Sequence, residues 1–400
     1  MESDILIVGG GPAGMMAGLL FARAGLSVTV LEKHADFLRD FRGDTVHPST
    51  LEIFHELGLL DAFLKRPHQR TERATLTLSG RTFQITDFQK LNVAAPYIAM
   101  MPQWDFLDFI AEKAKAFENF TLLQSCEATE LLYDQDRVSG GRVMLDGKSV
   151  DIAADLTVAC DGRGSRMRDQ SGLSVLNLGA PIDVFWMRLP RKAGMESESM
   201  GRVNRHGVLI LINRGDYWQC AMPLPKGSAD IIRAQGIEAF RARIAAIAPS
   251  QNGVVSALKT WDDVKLLNVQ VNRLQKWYQD GLLFIGDAAH AMSPVGGVGI
   301  NLAVQDAVAA GRILGRGFGA GPVDTALLAA VQKRRERAAR LTQSAQVFAH
   351  KRVLVPAITN DKPLSPPWPL KLVNAVPAMQ GLSARMIGLG VQPEHWPHGL

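Results

Sequence analysis

The chain has 400 residues, 47% hydrophobic and 21% charged, which exceeds one typical domain and sets the expectation of a soluble globular protein with two domains or one large α/β domain with insertions. The net charge of +5 comes from scattered cations, and the one dense run, "QKRRERAAR" at 332–340, lacks interleaved aromatics; it is expected to be a solvated helix face, which argues against a nucleic-acid partner. Cys126, Cys160 and Cys220 lie far apart with no CxxC, which excludes a dithiol redox enzyme and predicts buried small hydrophobes; no metal site is expected.

Taken in chain order, an apolar strand at 4–8 begins almost at once, so no signal peptide is expected and a cytoplasmic location follows. Gly9, Gly11 and Gly14 come next in GxGxxG spacing, with Pro12 and Ala13 inside the turn and a helix after it. Gly9 permits the turn, Gly11 lets backbone approach a pyrophosphate, and Gly14 allows close helix–strand packing. The helix N-terminus offers free N–H groups and a partial positive charge to phosphate. A second strand, "SVTVLE", ends at Glu32, beside Lys33. An acid there accepts bonds from ribose hydroxyls and suits an adenosine without a 2′-phosphate, in FAD or NAD.

Beyond it the pattern predicts strands "ATLTLSG" (74–80) and "RTFQITDF" (81–88), a helix from "PQWDFLDFIAEKAKAF" (102–117) and a hairpin "ELLYDQDRVSGGRVMLD" (130–146). A further strand runs into "DGRGSRMR" (161–168), and strands are expected at 181–188, 207–214 and 216–224. The apolar "LLFI" (282–285) leads to "GDAAHAMSPVGGVGINLA" (286–303) and a helix. The longest uncharged stretch, 288–305, is broken by His290, Ser293, Pro294, glycines, Asn301 and Gln305, so it is not read as a membrane span. "GRGFGAGP" (315–322) reads as a helix stop, leaving no second dinucleotide turn. "DKPLSPPWP" (361–369) reads as a linker. The apolar tail after it is expected to pack on the body in preference to pairing subunits or lying on a membrane surface.

Asp161-Gly162, Ser165 and Arg168 fit DGxxSxxR, and Gly286-Asp287 opens a GD motif. With the N-terminal GxGxxG, these resemble the three fingerprints of class A FAD-dependent flavoprotein monooxygenases, the group typified by para-hydroxybenzoate hydroxylase and the ubiquinone-pathway hydroxylases. The resemblance runs from residue 4 to about 345. It implies an α/β architecture, with a Rossmann-like FAD-binding domain and an inserted mixed or antiparallel β-sheet substrate domain. The FAD domain is expected over 1–72, 97–175 and 272–345, the substrate domain over 73–96 and 176–271, and a C-terminal helical segment over 346–400.

In that family Asp287 would bond the ribityl chain of FAD, and Pro294 to Asn301, including Gly297, Gly299 and Ile300, would lie along the isoalloxazine. The following helix would point its N-terminus at the reduced ring. His290 is expected to order this loop. Arg42 resembles the arginine at the pyrophosphate, with a surface ion pair as the alternative, and Gln103 resembles a glutamine on the flavin side chain, with a helix cap as the alternative. Asp161 and Arg168 would serve both FAD and NAD(P)H, and nothing chooses between NADH and NADPH. The chemistry implied is hydroxylation of a phenol-like aromatic by NAD(P)H and O2 through a flavin C4a-hydroperoxide, in a monomer or homodimer. Asp44 and His47 are the candidate bases near the ring, with a turn residue and a helix lead-in as their alternatives, and Pro294 lies beside them in the expected site. Trp186, Tyr217, Trp218 and Met222 are candidates for the pocket, each equally readable as sheet core. The stretch "DYWQC" (216–220) departs from the benzoate-binding arginine and tyrosine of the type enzyme. A lipid or isoprenoid reductase and a non-catalytic FAD-binding protein are the rival readings, while a halogenase is disfavoured because no WxWxIP occurs.

Overall fold

The computed structural model describes residues 1–38, 45–192, 200–318, 321–359 and 365–397. Strand β1 (Glu2–Val8) carries the first apolar run, with Ile5, Leu6 and Ile7 at 0% exposure, and it occupies the middle of an eight-stranded sheet. It pairs in parallel with β2 (Val28–Leu31) on one side and with β11 (Lys148–Ala159) on the other. Such burial on both faces is what a continuous β-branched and leucine run specifies. The sheet continues through β8 (Phe120–Leu123) beside β2, and through β20 (Leu282–Phe284) and β19 (Tyr278–Gln279) beyond β11. The hairpin β9 (Glu127–Asp134) and β10 (Arg137–Leu145) extends from the first half of β11.

Helix α1 (Pro12–Arg23) crosses from β1 to β2 and packs against α8 (Gly299–Gly317) and α4 (Gln103–Ala114). Helices α2 (Pro48–Glu56) and α3 (Leu60–Phe63) close that layer with a phenylalanine cluster, Phe54 and Phe63 standing 4.6 Å apart and Phe63 and Phe109 5.1 Å apart. Short helix α5 (Arg166–Ser171) follows β11, and α9 (Thr325–Ala349), capped by Asp324, lies along α8. "QKRRERAAR" does lie in α9, but not as a fully solvated face. The Arg335 side chain is 1% exposed because it meets buried carboxylates, which corrects the sequence expectation at that position.

A second sheet of seven strands has the order β17-β13-β16-β15-β14-β5-β6. Its members are β5 (Arg73–Leu78), β6 (Arg81–Asp87), β13 (Ile182–Pro190), β14 (Met200–Asn204), β15 (Gly207–Asn213), β16 (Tyr217–Pro225) and β17 (Val264–Leu267). All pairings are antiparallel except β14 with β5. One face is covered by α6 (Ala229–Ala234) and α7 (Ile237–Ile247), the other in part by α10 (Val355–Thr359), α11 (Trp368–Ala375) and α12 (Pro377–Gly388). A small sheet of β3 (Thr45–Val46), β4 (Gln69–Thr71) and β7 (Ile98–Met100) links the two large ones, and β12 (Val175–Asn177) pairs with β18 (Asn272–Leu274). The tail therefore packs on the body. No helix among the described residues is long and apolar enough to cross a membrane.

The tightest constraint on the first βα unit is at Gly14. A Cβ there would stand 1.9 Å from the carbonyl oxygen of Gly9, which is backbone that cannot swing away. Gly14→Ala must push α1 off the turn, so urea unfolding of the variant is expected to show a loss of about 3 kcal/mol or more.

Candidate active site

The first turn forms a cradle. Gly9 takes a left-handed φ of +107°, and a Cβ on it would meet the carbonyl oxygen of Cys160 at 2.5 Å, so β1 and β11 close on each other there. Gly11 is the N-cap of α1, with no side-chain cap and no described atom within 4 Å of where its Cβ would point. The positive end of α1 thus has no side-chain cap and open space beside its N-cap residue, which suits an anion. Glu32 is buried at the end of β2 and its carboxylate accepts from the backbone of His34 at 3.0 Å. It also lies against Gly10, whose Cβ would be 3.1 Å from Oε2. Lys33 is exposed beside it.

The DGxxSxxR segment ties loops together. Asp161 accepts from the Ser165 hydroxyl at 2.5 Å and from the Met167 amide at 3.2 Å, while Ser165 in turn caps α5 by accepting from the Arg168 amide. Burial pushes the Asp161 carboxyl above its ordinary range, and those hydrogen bonds pull it part of the way back. The Arg168 guanidinium, 7% exposed, donates to the carbonyls of Ala288 (3.3 Å) and Arg163 (2.7 Å), which joins this segment to the GD turn. Arg163 pairs with Asp287 at 3.0 Å, both side chains being partly open to solvent. Sequence reasoning missed Arg163, which occupies a variable position of the motif and carries no local signal of its own.

Gly286 is where three elements meet. Its φ is +63°, and a Cβ would lie 3.0 Å from the Cβ of Ala13 and 3.5 Å from that of Ala303. The GD turn therefore touches both α1 and α8. Downstream, Pro294 is half-buried, and Gly297 accepts the Thr45 hydroxyl at 2.8 Å, with no room for a side chain against Thr45. The N-terminus of α8 has no side-chain cap, and the space beside Gly299 is open to 4 Å among the described atoms. Ile300 is buried. The Asn301 side chain is fully engaged, which narrows its expected cofactor role to the backbone. Its oxygen accepts from the His47 amide and the Thr50 hydroxyl, both at 2.8 Å, and its nitrogen donates to the carbonyls of Thr45 and Gly297.

His290 is buried against Trp277, with Nε2 2.5 Å from Asp306. Burial pushes the Asp306 carboxyl up, but His290 and Arg335 outweigh it and hold the group below its usual range.

Of the two candidate bases, Asp44 lies outside the described residues, as does Arg42. His47 is 0% exposed, precedes α2, and its Nδ1–H donates to the carbonyl of Ile387 at 2.8 Å. In this structure its imidazole is enclosed by protein, which favours the helix lead-in reading over contact with a substrate. Gln103 is half-buried as the first residue of α4.

The pocket candidates divide by strand alternation. In register, Trp186 sits opposite Ala221, and Arg188 opposite Gln219, which pairs with Ile212. Ile212 packs with Ile98 and Met100 of β7, and β7 pairs with Thr45 of β3, the residue bonded to Gly297. This face therefore connects to the glycine loop, and Tyr217 and Trp186 belong to it. Trp218 and Met222 lie on the opposite face, at 0% and 1% exposure, in the core with Phe185, Phe240 and Ile244. A pocket role for these two is corrected: alternation was visible in the sequence, its phase was not.

Comparison with known proteins adds the family. Residues 2–345 match the family model described as the FAD binding domain. The chain is 31% identical over 346 residues to a 6-methylpretetramide 4-monooxygenase of Streptomyces rimosus, covering 85% of this chain and 82% of that one. It is 26% identical over 315 residues to a rifampicin monooxygenase of Streptomyces venezuelae, covering 76% of this chain and 62% of that one, so it spans less than two thirds of that relative. Among solved structures it superposes on PqsL, a probable FAD-dependent monooxygenase from Pseudomonas aeruginosa, with a TM-score of 0.75 at 20% identity, covering 90% of this chain and 97% of that one. The OxyS anhydrotetracycline hydroxylase of Streptomyces rimosus gives 0.75 at 22% identity, covering 100% and 78%. The chain belongs to the FAD binding domain family and is a class A flavoprotein monooxygenase, an FAD-dependent oxidoreductase of the para-hydroxybenzoate-hydroxylase-like fold. The uncapped N-terminus of α1 with open space beside Gly11, Glu32 over the same turn and the uncapped N-terminus of α8 fit that cofactor.

Gly11→Ala adds a methyl group to the open cradle without touching described protein atoms. It is expected to leave apoprotein unfolding within about 0.5 kcal/mol of the parent and to weaken FAD affinity at least tenfold, read by flavin fluorescence. His47 supplies a pH test. Burial outweighs its hydrogen bond to Ile387 and lowers its pKa from 6.5 to about 4. Between those two values the unfolded chain holds the extra proton, so stability falls as pH drops through the window. The full gap is worth at most about 3 kcal/mol. Apoprotein Tm followed from pH 7 to 4.5 should decline, and His47→Gln should decline less steeply over that range.

Proposed function

We propose that this protein hydroxylates a phenol-like or related electron-rich aromatic small molecule with O2 and NADH or NADPH. The observation that carries the reading is the convergence of the first turn, the GD turn and α8 at Gly286, linked through β7 and β3 to the sheet face of Trp186 and Tyr217. FAD, when bound, accepts hydride from the nicotinamide and activates oxygen, so that one oxygen atom reaches the ring and the other leaves as water.

The chain's own residues then have separable tasks. The α8 amides orient and polarise the ring edge set against them. Trp186, Ile210 and Ala221 give the sheet face an apolar wall that keeps water from the reacting atoms. Arg188 lies over the Tyr217 ring at 5.1 Å, and Arg214 donates to Gln219 at 3.0 Å, so two cations occupy the same side of the sheet. Burial lowers the Arg214 pKa to about 10, which leaves it protonated at neutral pH. This favours a substrate with an acidic group or a phenolate. The names of the relatives that act on 6-methylpretetramide, rifampicin and anhydrotetracycline support an aromatic substrate.

The test is anaerobic reduction of the holoenzyme by NADH and by NADPH, with and without a panel of phenols, anilines and quinone precursors. One aromatic is expected to accelerate reduction at least tenfold and, in air, to gain an oxygen atom by mass spectrometry. If no aromatic accelerates reduction or gains oxygen, the hydroxylase reading fails in favour of a lipid reductase or a non-catalytic flavoprotein. With that substrate in hand, Trp186→Ala should raise KM about tenfold. Met222→Ala, on the other face, should leave KM unchanged and cost about 2–5 kcal/mol of stability.

A further inference from the structure

The chain's last described residues are anchored where no fingerprint reaches. Glu394 follows α12 and lies beyond the stretch that matches the family, residues 2–345. Its carboxylate is 1% exposed and gathers three arginines: Arg312 at 3.1 Å, Arg334 at 2.6 Å and Arg335 at 3.1 Å. Its backbone amide donates to the side chain of Gln305 in α8 at 3.2 Å. Arg335, itself 1% exposed, also donates to the carbonyl of Gln392 at 2.9 Å and to Asp306 at 3.0 Å. The other oxygen of Asp306 accepts from the Gly286 amide at 3.1 Å and from His290 at 2.5 Å. One guanidinium and one carboxylate are thus all that separate the tail from the turn bearing Asp287. The next residues fasten the tail at a second point: the Trp396 amide donates to Glu56 at 2.6 Å, His395 donates to the same carboxylate at 2.5 Å, and the indole packs on Gly311 of α8.

We propose that residues 390–397 form a clasp that positions the Gly286–Asp287 turn and the N-terminal half of α8 for FAD, with Glu394 as a positioning residue acting through Arg335 and Asp306. The physical reason is that Arg335 is shared between two buried carboxylates. Without Glu394, Arg312 and Arg334 lose the buried carboxylate they share, and Arg335 keeps Asp306 but is held from the tail side by the Gln392 carbonyl alone. The guanidinium that orients Asp306 is then less firmly placed, and with it the carboxylate that holds the Gly286 amide. The turn carries only backbone and one carboxylate toward the cofactor, so a small rotation there is felt as affinity. The inference rests on the family's cofactor, not on the identity of the substrate.

Coupling of this kind is reciprocal, so FAD must steady the tail as the tail steadies the FAD turn. Hydrogen exchange on the wild-type chain, as apoprotein and after reconstitution with FAD, is expected to slow at least fivefold at residues 390–397 as well as at 286–290. Glu394→Gln is expected to weaken FAD affinity about tenfold or more, and Arg312→Ala, from the half-open edge of the cluster, about twofold to threefold. A tail that only adds stability would lower Tm equally with and without FAD, leaving the FAD affinity of Glu394→Gln at the parent value. Either that unchanged affinity or tail exchange indifferent to FAD overturns the proposal. If Glu394→Gln does not fold, the wild-type exchange experiment decides alone.

Discussion

Four separate stretches of this chain are tied together at one buried carboxylate. Asp306 is buried in α8, and taking a charge so far from water is costly unless every lone pair is answered. Here His290, Arg335 and the amide of Gly286 all answer it. The effect is structural before it is chemical. α8, α9, the GD turn and the C-terminal tail come from separate stretches of chain, yet all four carry a group in this one network. That is why the turn is held in place with few side chains of its own.

A second constraint sets the position of the sheet face that carries Trp186 and Tyr217. The seven-stranded sheet buries one side on α7, where Phe185, Trp218, Cys220 and Met222 interlock, so that side is committed to stability. The other side is the one the proposed function gives to the substrate, and Ile212, Met100 and Thr45 connect it to the glycine loop. Asn301 fixes the same junction from the α8 side by satisfying both its oxygen and its nitrogen on residues 45–50 and 297. Loop and sheet are therefore held at a defined separation, as the proposed hydroxylation would need for positioning a ring away from water.

What was legible in the sequence follows from how locally each feature is encoded. GxGxxG, Glu32, DGxxSxxR and the GD turn depend on backbone conformation at short spacing, so glycines and flanking strands reveal them. The phase of β16 is different: "YWQCAM" alternates either way round, and only the helices packed on the sheet decide that Trp218 faces the core and Tyr217 does not. Arg335 looked like one cation among several on a solvated face, because its two carboxylate partners stand 29 and 59 residues away along the chain. Arg163 and Glu394 were invisible for the same reason. Charge pairing over long sequence separation leaves no periodic trace, whereas a turn that needs glycine does.

The C-terminal segment shows how those long-range contacts join the two halves. Its first part, α10 with Leu370 of α11, packs on Leu78, Phe83 and Val208 and so covers the far end of that sheet face. Then α12 runs along β6, its Gln380, Ala384 and Gly388 turned inward, and Ile387 receives the His47 hydrogen bond. The last residues reach Asp306 through Arg335. A single stretch outside the family match thus touches the seven-stranded sheet and the residue before α2, and reaches the GD turn through Arg335 and Asp306. A strain introduced at any of these points is carried to the next by side chains at 0–2% exposure, such as His47, Arg335 and Trp396, which have little freedom to absorb it. For that reason a change in the tail is expected to reach the GD turn through Arg335 and Asp306.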